Sequence, residues 1–112
     1  EEDHLANHSD EIKELYLEFR DAILNLSPDL ELRATKLYIA FKKHKRTIVC
    51  MELQKKQLRL TLNAKIGQIQ DMKKLSKDIS GVGHWGVGDY RIDVSNNENL
   101  EYILSLIKPL IK

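Results

Sequence analysis

The sequence has little that would form a disulfide, a metal site or a membrane-spanning segment. It has one cysteine among 112 residues, Cys50, so no disulfide framework can form within the chain. This thiol lies among Ile48, Val49 and Met51, which is typical of a buried strand in a protein of the reducing cytoplasm. No apolar run approaches the roughly 18 residues that a membrane span needs, and no signal-peptide pattern is present. We expect a cytoplasmic protein without membrane contact.

Residues suited to catalysis or metal binding are few and scattered. The four histidines are His4, His8, His44 and His84. Only the first two have the i, i+4 spacing of a helix, and they lie in a segment predicted to be a mobile tail. His84 and Asp89 can form an acid/base pair, but no nucleophile completes the set, so a structural role is favoured. We therefore expect no metal site, no cofactor and no catalytic residue in this chain.

The length and composition suit one globular domain, since 42% of the residues are hydrophobic and 31% are charged. The chain starts with Glu1 rather than methionine, which favours a domain excised from a longer protein. We predict a disordered or tag-like tail over residues 1–8 and a single α+β domain over residues 9–112.

Charge is strongly polarised along the chain, although the formal net charge is only +1. Residues 1–30 carry nine acidic and two basic side chains, whereas residues 31–80 carry thirteen basic and four acidic ones. This pattern has two interpretations. The basic segment can form a surface that binds phosphate backbones. Alternatively, an acidic helix lies beside a basic sheet, and the two charges cancel internally.

The periodicity of apolar residues predicts two amphipathic helices on either side of a set of strands. Residues 9–26 have helical spacing, with Ser9 as the N-cap and acids in the first turns. Ser95 and Glu98 form a capping box before a closing helix, whose last turn is frayed by Pro109. Apolar or β-branched runs predict strands at 30–34, 37–41, 47–53, 58–62 and 90–94.

The pattern between the last two strands is weaker. Asp71 is a candidate N-cap for a short helix over 71–79, which would carry Met72 and Leu75 on its apolar side. The order of elements predicts an α+β fold. We expect a mostly antiparallel sheet of about five strands, with N- and C-terminal amphipathic helices packed on one face.

Basic residues gather in the connections between predicted strands. Because successive hairpin turns lie at opposite ends of a sheet, the 42–46 turn is separated from Lys55 and Lys56 by the length of a strand. The 42–46 turn and the later lysines can share one edge and form a rim for phosphate contact. The nucleic-acid-binding candidates are Lys42, Lys43, Lys45, Arg46, Lys65, Lys73, Lys74 and Lys77. Aromatic residues for base stacking are nearly absent here, so duplex DNA is favoured over single strands.

The run 81–90 holds four of the five glycines and the only tryptophan. Glycine is costly to order and permits positive φ, so we expect a specific loop conformation in this run. Its G-x-G-x-x-G spacing is typical of dinucleotide binding only between a strand and a helix, and here a strand follows. The loop or ligand candidates are Gly83, His84, Trp85, Gly86, Gly88, Asp89 and Tyr90.

Four stretches carry a family resemblance: L-Y-I-A-F-K at 37–42, Q-K-K-Q-L at 54–58, D-I-S-G-V-G-H-W-G-V-G-D-Y at 78–90, and L-E-Y-I with L-I-K between 100 and 108. Together they resemble a bacterial and archaeal domain of unknown function with an H-W-G-x-G-D-Y motif. The resemblance spans residues 4–110 and implies the C-terminal module of a longer protein. The hosts of such domains include restriction-endonuclease-like proteins, and some were labelled predicted transport proteins. The family brings no established catalytic residues.

The resemblance and the basic segment together predict a non-catalytic accessory module of a restriction-endonuclease-like protein. It would assist DNA recognition through a basic edge, while a nuclease domain of the same parent chain cuts the DNA. Two alternatives stay open: a protein-interaction or oligomerisation module, and a small-ligand sensor that uses the loop 81–90. The expected partners are duplex DNA and the nuclease domain, with a homo-oligomer as a further alternative.

Overall fold

The computed structural model describes residues 1–81 and 88–111. Its elements in chain order are α1 (Glu2–Leu5), α2 (Asp10–Leu24), β1 (Leu30–Ala34), β2 (Ile39–Lys43), β3 (Arg46–Leu53), β4 (Leu58–Leu62), β5 (Lys77–Asp78), β6 (Tyr90–Val94), α3 (Leu100–Ile107) and a 3₁₀ turn (Lys108–Leu110). The strands form one six-stranded antiparallel sheet in the order β1-β2-β3-β4-β6-β5. The predicted α+β class is confirmed, with six strands where about five were expected.

Helices α2 and α3 pack on one face of the sheet, as predicted, and share a single core with it. Strand β4 has the complete alternation of a half-buried strand. Its residues Leu58, Leu60 and Leu62 have no exposed surface, whereas Arg59 and Thr61 between them are half-buried. The helices bury in this core Ile12, Leu15, Tyr16, Phe19 and Ile23 from α2, and Ile103, Leu106 and Ile107 from α3.

The opposite face, here called the open face, carries Arg59 and Thr61 and is not covered by any described helix. Its buried part is small. Ala40 and Cys50 are cross-strand partners there, and Tyr38 packs against them. The sequence prediction that Cys50 is a buried strand thiol is therefore confirmed.

The N-terminal helix closely follows its prediction. The Ser9 side chain accepts a hydrogen bond from the backbone N–H of Ile12 at 3.3 Å, which confirms Ser9 as the N-cap. Helix α2 ends at Leu24 instead of residue 26. In the segment where the sequence predicts a disordered or tag-like tail, over residues 1–8, the structure contains α1, and the Glu1 carboxylate accepts a hydrogen bond from the Tyr16 hydroxyl.

The predicted short helix over 71–79 is wrong. The Asp71 carboxylate accepts hydrogen bonds from the backbone N–H and the hydroxyl of Ser76, both at 2.7 Å, and these bonds close a turn that competes with helical bonding. The following residues, Lys77–Asp78, pair with β6 as the edge strand β5. Met72, expected on an apolar helix face, is 84% exposed.

The predicted capping box at the start of the closing helix is also wrong. Helix α3 begins at Leu100, and its N-cap, Asn99, makes no side-chain cap. The backbone N–H of Glu98 donates instead to the Asn96 side chain at 2.9 Å, and this Asx turn holds Glu98 outside the helix. The last turn beyond α3 is a 3₁₀ turn that contains Pro109, in agreement with the predicted fraying.

The second strand lies two residues later than predicted, at Ile39–Lys43 instead of 37–41. The Thr35 hydroxyl accepts hydrogen bonds from the backbone N–H groups of Leu37 and Tyr38, and these bonds hold both residues in the preceding turn. Because β2 extends to Lys43, the hairpin connection between β2 and β3 is short. It consists of two residues, His44 and Lys45.

The sheet has two ends that matter for the candidate site. We call them the His44 end, where the β2–β3 turn lies, and the Gln54 end, where the β3–β4 turn lies. Strand β4 runs from the Gln54 end to the His44 end, so Lys65 follows it at the His44 end. Strand β6 starts there too, because Tyr90 is the cross-strand partner of Leu62.

Candidate functional site

The β2–β3 turn presents exposed basic side chains at the His44 end. His44 and Lys45 have φ values of 51° and 73°, the left-handed conformation of a type I′ hairpin turn. Such turns favour asparagine and glycine, because a side chain with a Cβ costs about 1 kcal/mol in this conformation. The chain nevertheless has two long side chains there. Both are exposed, as is the neighbouring Arg46.

Lys65 lies at the same end of the sheet as this turn, which agrees with the sequence expectation. The side-chain amide of Asn63 donates to the Thr47 carbonyl, and the Asn63 backbone N–H donates to the Ile48 carbonyl at 2.9 Å. These bonds fasten the exit of β4 to the start of β3. Lys65 follows two residues later and is exposed.

A further basic residue at this end, Lys108, is not among the candidates that the sequence predicts. The Arg46 guanidinium donates from Nη1 to the Leu110 carbonyl at 3.1 Å, which holds the C-terminal 3₁₀ turn at the His44 end. Lys108 is part of this turn and is exposed. No sequence signal joins Lys108 to the 42–46 turn, because a contact between residues 64 positions apart connects them.

Two of the later lysines, Lys73 and Lys74, do not join this group. The Lys73 backbone N–H donates to the Tyr102 hydroxyl at 3.0 Å, and Lys73 Nζ lies 4.9 Å from the centre of the Tyr102 ring. Tyr102 is in the first turn of α3, which follows the end of β6 at the Gln54 end. Lys73 and the adjacent Lys74 therefore lie near that end. Lys77 is in the edge strand β5, opposite Arg91 and one residue from the start of β6 at the His44 end, but two strands, β4 and β6, lie between β5 and β3.

The basic candidates are thus divided between two regions. The residues that the structure brings together at the His44 end are Lys43, Lys45, Arg46 and Lys65 from the sequence prediction, with Lys108 added. Lys42 lies within β2, where it is half-buried opposite Glu31 of β1. The expected rim is interrupted, because Lys73 and Lys74 lie near the Gln54 end.

The acidic helix does not neutralise these bases by direct contact. In the described ranges 1–81 and 88–111, no ion pair joins an acidic residue of α2 to a basic residue of 31–80. Among the described acids of α2, Asp21 forms an ion pair, and its partner is the neighbouring Arg20 at 2.8 Å.

The open face carries a smaller charged cluster. Asp93 accepts from Arg59 Nε at 3.1 Å, and its other oxygen lies 3.7 Å from Arg91 Nε, too far for a hydrogen bond. Arg91 Nε is consequently buried without a hydrogen-bond partner among the described residues. Two guanidinium groups share this one carboxylate.

Most of the glycine-loop candidates, namely Gly83, His84, Trp85 and Gly86, lie outside the described residues. The described candidates are anchored to the segment after β4. The Asp89 backbone N–H donates to the Ala64 carbonyl at 2.9 Å, and its carboxylate accepts from the Ile66 backbone N–H at 3.2 Å. The Tyr90 hydroxyl accepts from the Gly67 backbone N–H at 2.7 Å.

Gly88 occupies a position with no space for a side chain. A Cβ added there would lie 2.0 Å from the Leu62 carbonyl oxygen and 2.8 Å from Asn63 Cα. Gly81, at the other end of the loop, differs, since a Cβ there would have no described atom within 4 Å. Close backbone packing therefore explains the glycine at 88 but not the one at 81.

The described part of the chain offers no metal centre, because it holds no group of three or more His, Cys, Asp or Glu side chains placed to share an ion. Among the helices it contains, none is long and apolar enough to cross a membrane.

Comparison with known proteins identifies relatives of the chain. A family model described as "Domain of unknown function (DUF5655)" matches residues 1–109. A protein of Haemophilus influenzae strain Rd, described as "Uncharacterized protein", is 50% identical over 112 residues. This match covers 100% of the chain but 37% of that protein, so the chain spans little more than a third of its relative's length. No solved structure matches the chain.

Proposed function

Because the chain belongs to the DUF5655 family of domains of unknown function and matches part of a longer relative, we propose that it is a non-catalytic accessory module of a longer protein. Its role in this proposal is to contact the phosphate backbone of duplex DNA with the His44 end of the sheet. The resemblance drawn from residues 78–90 suggests that the parent proteins include restriction-endonuclease-like enzymes, whose nuclease domain performs the cutting.

The observation that carries the proposal is the grouping of exposed bases from three separate segments at one end of the sheet. Lys45, Lys65 and Lys108 come from the β2–β3 turn, the exit of β4 and the C-terminal turn. Lysine is a flexible point charge, which suits contact with phosphates irrespective of sequence. The two left-handed turn residues add support, since His44 and Lys45 remain where Asn-Gly would cost less.

The non-catalytic part of the proposal rests on how the described loop residues are used. Asp89 holds the backbone of residues 64–66 with its N–H and carboxylate, and Tyr90 holds Gly67 with its hydroxyl. These hydrogen bonds support a structural role for the carboxylate and the phenol. Among the described residues, neither is hydrogen-bonded to a second titratable side chain suited to acid/base chemistry.

The experiment that tests this function compares two triple variants of the 112-residue chain by fluorescence anisotropy with a labelled duplex. The first, Lys43→Ala/Lys45→Ala/Lys65→Ala, removes charge from the His44 end. The matched control removes three exposed lysines at the Gln54 end, as Lys36→Ala/Lys55→Ala/Lys56→Ala. We expect the wild-type log affinity to fall linearly with log salt concentration. The slope should shrink by about 0.9 for each phosphate that the first variant no longer neutralises.

The control variant should keep most of the wild-type affinity and slope. Equal reductions in both variants would show that only overall charge matters and would contradict a site at the His44 end. The absence of any binding at low salt concentration would remove DNA contact as the function of this domain.

A further inference from the structure

Strand β1 forms one edge of the sheet. The N-terminal helix lies beside its last residue, where the His4 ring is hydrogen-bonded to the Thr35 carbonyl, and no described element pairs with the edge over residues 30–33. The other edge strand, β5, has two residues, whereas β1 pairs with β2 over five residues without a register shift. It contains no proline. A depression of about 350 Å³ beside it is bounded by Glu31, Leu32, Arg33, Lys42 and Lys45. Long regular edge strands of this kind are templates for pairing with another strand.

The backbone orientation of β1 follows from one hydrogen bond. The Thr35 N–H donates to the Tyr38 carbonyl at 2.8 Å, so Thr35 directs its N–H toward the β2 side. In an antiparallel strand, alternate residues direct their backbone groups to opposite sides, so Glu31 and Arg33 also face β2. The residues that direct these groups to the free edge are Leu30, Leu32 and Ala34.

We propose that two copies of this chain associate through β1, as antiparallel neighbours related by a two-fold axis at Leu32. In this arrangement Leu32 exchanges backbone hydrogen bonds with Leu32 of the second copy, and the two sheets form one twelve-stranded sheet. The charged side chains on the open face are then complementary between the two copies. Glu31 lies opposite Arg33 of the second copy, and Arg33 lies opposite Glu31 of the second copy, which gives two opposite-charge pairs.

Arg33 is suited to such a pair because the residue directly opposite it in its own sheet carries no charge. Its cross-strand neighbour on β2 is Ala40, and Arg33 makes no ion pair within the described residues. Its side chain is exposed. On the helix-covered face, Leu32 is half-buried at the rim of the core. The pairing would cover it with the same residue of the second copy.

Charge also selects the register. A two-fold axis at Glu31 or Arg33 would place that residue directly opposite the same residue of the second copy, so that like charges face each other. An axis at Leu30 would place Glu31 opposite Asp29 of the second copy, which is repulsive. An axis at Ala34 would place Arg33 opposite Thr35 and form no charge pair. The axis at Leu32 is therefore the register in which both charged residues of β1 find an opposite charge.

Sedimentation equilibrium over a range of protein concentrations tests this proposal. We expect the wild-type chain to associate reversibly to a dimer. Each single variant, Glu31→Arg or Arg33→Glu, turns two attractive pairs into two repulsive ones and should raise the dimer dissociation constant roughly tenfold or more. The double variant Glu31→Arg/Arg33→Glu restores opposite charges and should recover the wild-type constant within about threefold.

A mixing experiment distinguishes impaired pairing from damaged folding. Glu31→Arg carries two positive charges on β1 and Arg33→Glu carries two negative ones, so an equimolar mixture should form heterodimers although each variant alone is largely monomeric. Circular dichroism of each variant checks that it is folded. A wild-type chain that stays monomeric at millimolar concentration would overturn the proposal. A dimer whose constant is unaffected by either single substitution would use another surface and would overturn it as well.

Discussion

The hydroxyl of Tyr102 donates a hydrogen bond to Oδ1 of Asp71, and this bond joins the connection between β4 and β5 to helix α3. The other oxygen of Asp71 accepts the two bonds from Ser76, and the Tyr102 hydroxyl also accepts from the Lys73 backbone N–H. One carboxylate and one phenol therefore organise a segment that has no helix of its own. They also place Lys77 where it can begin the edge strand.

Removal of the Tyr102 hydroxyl should destabilise the fold. Tyr102→Phe leaves the ring but deprives Asp71 of a donor and the Lys73 N–H of an acceptor, so we expect a melting temperature lower by a few degrees. The control is Tyr38→Phe, because the Tyr38 hydroxyl makes no hydrogen bond among the described residues. Thermal unfolding followed by circular dichroism measures both. Equal melting temperatures for the two variants would contradict this role of Tyr102.

The Asp71 carboxylate should make stability depend on pH in the acid range. Burial alone would raise its pKa, but hydrogen bonds from Tyr102 and Ser76 outweigh burial and hold the pKa below its ordinary value of 3.8. A carboxyl group with a lowered pKa in the folded state stabilises the fold above pH about 4, and this contribution is lost as the pH falls through the lowered pKa. The melting-temperature difference between the wild type and Asp71→Asn should therefore shrink below pH 4. A difference that stays constant down to pH 2 would refute this assignment.

Gly88 should tolerate no side chain, whereas Gly81 should. Gly88→Ala would place a Cβ 2.0 Å from the Leu62 carbonyl oxygen, so the start of β6 must move away from β4. We expect a loss of about 2 kcal/mol or more in the free energy of unfolding, as for overpacked sites in cores. Gly81→Ala is the matched control and should change it by less than about 0.5 kcal/mol. Chemical denaturation measures both, and the reverse order would show that backbone contact at 88 does not explain that glycine.

The β2–β3 turn should show a conflict between stability and DNA contact. His44→Asn/Lys45→Gly supplies the residues that a type I′ turn prefers, so the melting temperature should rise. The same substitution removes Lys45 from the His44 end, so duplex affinity should fall and depend less on salt concentration. Thermal unfolding and anisotropy on the same samples check the two effects. A variant that is more stable with unchanged affinity would show that this turn does not contact DNA.

The Cys50 thiol should be unreactive in the folded protein. Burial, with a smaller contribution from the charge of Glu52, raises the pKa of Cys50 to about 12. At pH 8 the thiolate that attacks a disulfide reagent is therefore scarce in the fold, and access is closed as well. We expect modification by an aromatic disulfide reagent to be at least about a hundredfold slower than in denaturant. Similar rates in the two states would indicate that the open face near Ala40 opens readily.

Much of the fold was readable from short-range patterns. The predicted strands at 30–34, 58–62 and 90–94 agree with the structure to the residue, and the strand predicted at 47–53 begins one residue earlier. The Ser9 cap was readable because it depends on a residue three positions away. The resemblance drawn from residues 37–108 is confirmed as membership of a family of domains of unknown function. Its link to restriction enzymes and to DNA stays a prediction.

The errors arose where local side-chain bonds or distant partners determine the conformation. Periodicity assigned a helix to 71–79, but Asp71 binds Ser76 and Tyr102, the second of which is 31 residues away. The predicted capping box does not form, because the Glu98 backbone N–H donates to the Asn96 side chain and closes a turn before the helix. Neither bond changes the hydrophobic pattern, so a reading of that pattern cannot detect it.

The sequence by itself determined most of the residues that are buried along α2, β4 and β6, because that pattern repeats over two to four residues and depends on near neighbours alone. It also determined the separation of acidic and basic segments. Only the tertiary structure decided which bases lie together. The Asn63 and Arg46 hydrogen bonds place Lys65 and Lys108 at the same end of the sheet as the β2–β3 turn, while Tyr102 holds Lys73 near α3. Such grouping depends on contacts between residues far apart in the chain, and no local period encodes them.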